Sequence, residues 1–306
     1  MAMRLKRKKR VAVNKILIAF FLLTAQLITF GQGNDSTQSS SVNKKRLKRL
    51  TIISGAAYAT TMVGLSELWY KDSEKQSFRF FNDNAEWKQV DKLGHFFTSF
   101  YFSFGSSKAL QWCNVPKKKS DLIGAITGFA VMLPIEIMDG YSDAYGASTG
   151  DLLANSAGSL FYLGQSRLWN EVRIYPKFSF HQSNFAKYRP NVLGDNIASE
   201  ALKDYNGQTY WLSVDMDKFV TFPKWLNLAV GYGAEGMVYA RDSQNFSNGF
   251  GHSYRQFYFA LDLDLSSFKT RSKFLNTLIM FANMLKFPAP ALEFSSKGTR
   301  FHALMF

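Results

Sequence analysis

The chain has 306 residues, a formal net charge of +14, 16% aromatic residues and a single cysteine. One cysteine excludes an intrachain disulfide and a thiolate metal cluster. The charge does not indicate a nucleic-acid partner. Basic residues crowd Arg4, Lys6, Arg7, Lys8, Lys9, Arg10 and Lys15, and then Lys44-Lys45-Arg46-Leu47-Lys48-Arg49, with no recognition motif beside either group. The 29 phenylalanines outnumber tyrosine and tryptophan together, which suits a membrane-contacting protein or an aromatic-rich sheet.

Residues 1–31 read as a secretory signal peptide. A basic start precedes an apolar stretch over 16–28, shorter than the roughly 20 residues a spanning helix needs. Thr29-Phe30-Gly31 then offers small residues at −3 and −1. Cleavage near Gly31 and export to the cell envelope are expected, and no cysteine near that point could accept lipid. Residues 32–49 read as a flexible basic linker. Four apolar helices are expected over 50–170. The first covers 50–69 and carries small residues such as Ser54, Gly55 and Ala57, which favour close helix approach. The second covers 92–112, with Asp91 as N-cap. The third covers 121–138, capped by Ser120 and kinked at Pro134. The fourth runs from Thr149 or Gly150 to about Leu168.

From residue 175 the pattern alternates with period two, most clearly in Phe257-Tyr258-Phe259-Ala260-Leu261-Asp262-Leu263. A short helix is expected over 273–285, ended by Phe287-Pro288-Ala289-Pro290, and a last strand over 299–306. The fold class is therefore α+β: a bundle of about four apolar helices over 50–170, then an antiparallel sheet or partial barrel over 175–306. The aromatic last residue, Phe306, resembles the end of an outer-membrane barrel strand and favours the outer membrane over the inner.

Ionisable groups on apolar helices are costly unless they face one another or water. Asp91 and His95 are i and i+4, Glu136 and Asp139 are i and i+3, and Asp151 and Asn155 are again i and i+4, so each pair shares a helix face. These six are expected around one pocket, with Lys92, Tyr141, Ser142, Asp143 and Ser148 at its mouth. Such a set could hold a divalent metal through carboxylate oxygens and one imidazole. It could also serve acid–base catalysis, or be a buried network that fixes helix register. Ser148 reads as a turn or capping residue.

Asp91-Lys92-Leu93-Gly94-His95-Phe96, then Glu136 and Asp139, then Ala147-Ser148-Thr149-Gly150-Asp151-Leu152-Leu153-Ala154-Asn155-Ser156-Ala157-Gly158 resemble a family of predicted periplasmic lipoproteins. That family is in turn similar to VanZ-like proteins, which share a D-K-x-x-H…E…D-x-x-x-N-x-x-G pattern. The resemblance implies a VanZ-like helical domain in a periplasmic or membrane-associated protein. A membrane lipid or other envelope component is the expected partner. The two functional expectations are an envelope protein that binds a lipid, glycan or protein partner through the polar cluster, and an envelope hydrolase or transferase acting on a lipid-linked or phosphorylated substrate.

Overall fold

A capping asparagine starts the helical half. Asn43 accepts a hydrogen bond from the Arg46 amide at 3.0 Å, and helix α1 runs Lys44–Trp69. The computed structural model describes residues 41–70 and 73–305. The expected signal peptide, its cleavage point, the first part of the linker and Phe306 lie outside the described residues. The basic run 44–49 is helical rather than linker. Arg46 explains part of this: its guanidinium stacks on Trp112 and donates to the Trp112 carbonyl, so the first turn of α1 is tied down.

The next helices are α2 (Val90–Trp112), α3 (Lys117–Ala130), α4 (Leu133–Gly140) and α5 (Thr149–Trp169). Asp91 is not the N-cap of α2. Trp87, Lys88 and Gln89 turn into the helix with positive φ, and Asp91 falls inside the first turn. Ser120 does not cap a helix either, because α3 starts three residues earlier and the Ser120 hydroxyl donates to the Val115 carbonyl. The expected helix over 121–138 is two helices, parted at Val131 and Met132. Pro134 sits in the first turn of α4, where a missing N–H is tolerated, rather than kinking a helix interior. By length and composition alone, Lys117–Gly140 could cross a membrane. The stretch breaks at Val131 and Met132, and its first part, α3, packs in a layer against α2 and α5.

Small residues set the spacing of that layer. A Cβ added at Gly158 would lie 2.2 Å from the Phe96 carbonyl oxygen, and one at Gly128 would lie 2.5 Å from that of Ser99. Ser99 and Ser159 join α2 to α5 by a 2.6 Å hydrogen bond between their hydroxyls. The layer is α2, α3 and α5. The first helix lies beside it, joined at one end through Leu50, Ala109, Cys113 and Val115, and by the Tyr58 hydroxyl on the Val131 carbonyl. Gly158→Ala is expected to cost about 1–3 kcal/mol by overpacking against backbone. Gly164→Ala, with nothing within 4 Å of its added methyl, should cost nothing or stabilise slightly. Thermal unfolding of the two variants checks this, and equal melting temperatures would refute the tight crossing.

The second half is a six-stranded antiparallel meander. Its strands are β1 (Ile174–Phe180), β2 (Gln208–Val214), β3 (Leu226–Glu235), β4 (Tyr254–Leu263), β5 (Ala289–Ser295) and β6 (Gly298–Met305), each paired with the next. Short helices α6 (Pro190–Leu193) and α7 (Ile197–Lys203) interrupt β1 and β2, α8 (Asp242–Ser247) follows β3, and α9 (Lys273–Ala282) precedes β5. The two prolines read as a helix stop instead flank and enter β5. Pro290 falls at the bulge between Ala289 and Ala291, where a ladder donor is not needed.

The sheet curls. Phe178 in β1 exchanges backbone hydrogen bonds with Met284 and Lys286, just ahead of β5. The register puts Lys177, Trp211, Gly231, Tyr258 and Glu293 in one row facing the inside of the curl, and Phe178, Tyr210, Tyr232, Phe257 and Phe294 in the adjacent row facing out. Helix α2 covers the outer face of β1 and β2. Its Phe97 packs on Phe178 and Tyr210, and the Tyr101 hydroxyl donates to the Pro176 carbonyl at 2.7 Å. Helices and sheet thus share one buried boundary.

Candidate functional site

The cluster is built by helix geometry first. On α2, Asp91, Lys92 and His95 begin the helix and point toward α5. Ser148 caps α5: its hydroxyl accepts from the Asp151 amide at 3.1 Å, and that places Asp151 and Asn155 on the same face. The Ser148 amide donates to Glu136 Oε2 at 3.1 Å, which fixes α4 against the start of α5.

Two linked subsites result. In one, Lys92 Nζ lies 2.6 Å from Asp83 Oδ2, 3.0 Å from Asp91 Oδ2 and 2.8 Å from Asp151 Oδ1. Three carboxylates enclose a single ammonium. Ser148 also donates its hydroxyl to Asp83. In the other subsite, His95 Nδ1 is 3.1 Å from Asn155 Oδ1 and 3.6 Å from Glu136 Oε1, and His95 Nε2 is 3.8 Å from Asp151 Oδ1. His95, Glu136 and Asp151 each offer one ligand atom, and these atoms lie within 4.8 Å of one another. Glu136 Oε1 and Asn155 Nδ2 are buried and accept or donate no hydrogen bond, although Glu136 is only 2% exposed and Asn155 fully buried. Asp139 stands beside this subsite and accepts a 2.6 Å hydrogen bond from the Tyr70 hydroxyl.

The electrostatics follow from burial. Desolvation pushes Glu136 up to about 7, with the Asp151 charge adding to the rise and His95 opposing it. Asp91 and Asp139 are each pushed up to about 6, again by burial first. Burial also acts on Asp83, but hydrogen bonds from Lys92 and Ser148 outweigh it and lower its pKa. Lys92 is raised, because Asp91 and Asp151 overcome its own desolvation. For Asp91, Glu136 and Asp139 the folded-state value lies above the unfolded one. Their stabilising contribution is present below about pH 4 and is lost as pH rises through 6 to 7. With a chelator present, the melting temperature is expected to fall between pH 5 and pH 8. A melting temperature that rises over this window would contradict the crowding of these acids.

The cluster gathers Asp91, Lys92, His95, Glu136, Asp139, Ser148, Asp151 and Asn155. Lys92 lies at its centre and not at a mouth. Ser142 and Asp143 are directed elsewhere: both bond the Ser73 hydroxyl, and Asp143 also accepts from the Glu74 amide. Tyr141 is half-exposed and packs on Phe78. Asp83 and Tyr70 were missed. Asp83 belongs to an aperiodic polar loop and Tyr70 ends α1, so no helical spacing links either to the motif. A pair of asparagines flanking Asp83 was the one available cue to a structured turn; Asn82 Oδ1 accepts from the Asn84 amide.

Residues 79–164 match the model of a family described as "Predicted periplasmic lipoprotein (DUF2279)". The matched segment spans the whole cluster except Tyr70 and agrees with a cell-envelope protein. The VanZ-like relationship gains no support from it. No curated protein and no solved structure matches the chain. The chain's one cysteine, Cys113, is buried at the end of α2. What the chain is similar to, over the residues that build its polar cluster, is a family of predicted periplasmic lipoproteins.

Proposed function

We propose that this is a cell-envelope protein that binds a divalent cation through His95, Glu136 and Asp151, with Asn155 beside them. The cation is the attachment point for an anionic group of a lipid, glycan or protein partner. The observation that carries this reading is the buried Glu136 Oε1, which has no hydrogen bond and stands 3.6 Å from His95 Nδ1, on a residue that with His95 and Asp151 offers ligand atoms within 4.8 Å of one another. A buried carboxylate oxygen without a donor costs several kcal/mol unless something cationic meets it. In the neighbouring subsite Lys92 supplies a cation to Asp83, Asp91 and Asp151, although Asp91 Oδ1 there also accepts no hydrogen bond. One imidazole with two carboxylates suits zinc, manganese or iron better than calcium, which prefers oxygen ligands alone. A hydrolytic role is the second reading, favoured by the same set, since three protein ligands leave positions on a metal for water.

Native mass spectrometry of the purified full chain, after incubation with zinc or manganese and buffer exchange, tests the proposal. One bound ion per chain is expected, accompanied by a higher melting temperature. A chain that stays metal-free and whose melting temperature ignores both ions would refute it.

A further inference from the structure

The face turned into the curl carries buried Lys177, Asp262 and Glu293 beside the apolar Trp211, Tyr258 and Ala260, with Lys286 entering from just ahead of β5. The outer face of β3 to β6 carries large apolar side chains that none of the described residues buries. Across β3 to β6 the register sets Val230, Phe259, Leu292 and Phe301 side by side in one row, with Phe257 and Phe294 paired in the next. All six are exposed, from 39% at Leu292 to 68% at Phe301. On β1 and β2 the same face is covered by α2. On β3 to β6 none of the described residues covers it to that extent. A continuous exposed apolar face of this kind marks a contact surface.

The charges around it indicate which contact. Within residues 254–305 all three acids, Asp262, Asp264 and Glu293, are buried. Arg255, Lys269, Arg271, Lys297 and Arg300 are exposed. They fall at the two ends of the strands: Arg255, Lys297 and Arg300 near the β5–β6 turn, Lys269 and Arg271 after β4. Asp242, between β3 and β4, is 36% exposed at its side chain and is paired with Lys88 and His252. An apolar belt with a mainly cationic rim complements a bilayer whose acyl chains meet the belt and whose anionic headgroups meet the rim. A second copy of the chain would set the same basic rims against each other, which opposes pairing through this face.

We infer that the outer face of β3 to β6 docks on the surface of an anionic lipid bilayer. This surface is separate from the polar cluster, and the inference does not depend on cation binding there. The N-terminal apolar stretch over 16–28 is a membrane-seeking segment in its own right, so the test must report on the sheet itself.

Leu292→Cys in the full chain, labelled with an environment-sensitive fluorophore, provides that report, since Cys113 is buried and unreactive by position. Leu122→Cys, exposed on α3, is the control. With vesicles of phosphatidylglycerol and phosphatidylcholine, the label at 292 should shift to the blue and that at 122 should not. Pure phosphatidylcholine or high salt should weaken the shift. Phe259→Ser with Phe301→Ser should weaken partitioning roughly tenfold or more while leaving the circular dichroism spectrum unchanged, because both rings lie outside the core. No shift at 292, or equal shifts at both positions, overturns the inference. A shift at 292 that grows with protein concentration and needs no vesicles also overturns it, in favour of a second copy.

Discussion

Glu136→Gln is expected to weaken divalent-cation binding by at least about 100-fold without lowering the melting temperature of the metal-free protein. Even groups that only orient a ligand typically contribute 10–100-fold, so loss of a charged ligand should exceed roughly that range. The amide keeps an oxygen for the Ser148 amide and removes a carboxylate that burial holds near neutrality. Without a cation the substitution relieves crowding among Glu136, Asp139 and Asp151. His95→Asn should likewise abolish binding with little change in stability. Titration calorimetry with zinc and thermal unfolding in chelator measure the two effects separately. A variant that loses several degrees of melting temperature in chelator would show that the cluster is a structural network instead. Asp121 is what such a network looks like in this chain. It is buried, and its carboxylate accepts from Ser107, Tyr162, Ser166 and Lys117, so that both of its oxygens are satisfied.

Asp262→Ala should be the most damaging single change in the sheet. Asp262 lies inside the curl, 2.6 Å from Lys177 Nζ and 3.7 Å from Lys286 Nζ, and all three side chains are fully buried. It also accepts from the Ser213 hydroxyl and the Phe287 amide. Burial already pushes Lys286 down to about 8, against the pull of Asp262. Removing the carboxylate leaves two ammonium groups facing each other in the interior, at a cost of about 3–5 kcal/mol. Lys286→Met should cost much less, because the Lys177–Asp262 pair survives and the methionine can lie on Trp211 as the lysine does. Equilibrium unfolding in urea orders the two. If Lys286→Met were as damaging as Asp262→Ala, the two lysines would have to share the carboxylate more equally than 2.6 and 3.7 Å imply.

The sequence by itself determined the change from helical to alternating periodicity near residue 175. It also determined the shared faces of Asp91 with His95 and of Asp151 with Asn155, because i and i+4 spacing is a property of one helix. It gave a turn-or-cap role for Ser148 for the same local reason. Tertiary structure decided what lies between elements. Asp83 reaches Lys92 from a loop with no period, and Tyr70 reaches Asp139 across 69 residues. Ser142 and Asp143 are drawn off to the segment at 73–74 by hydrogen bonds that no local pattern encodes. The split of the third helix at Val131 and Met132 was hidden because the apolar pattern runs on through the break. The meaning of the alternation was open too. A period of two separates the faces of a strand but does not say which one is interior. Only the curl of the sheet, closed by Phe178 against Met284 and Lys286, put Lys177, Asp262 and Glu293 inside and left the phenylalanines of β4 to β6 outside.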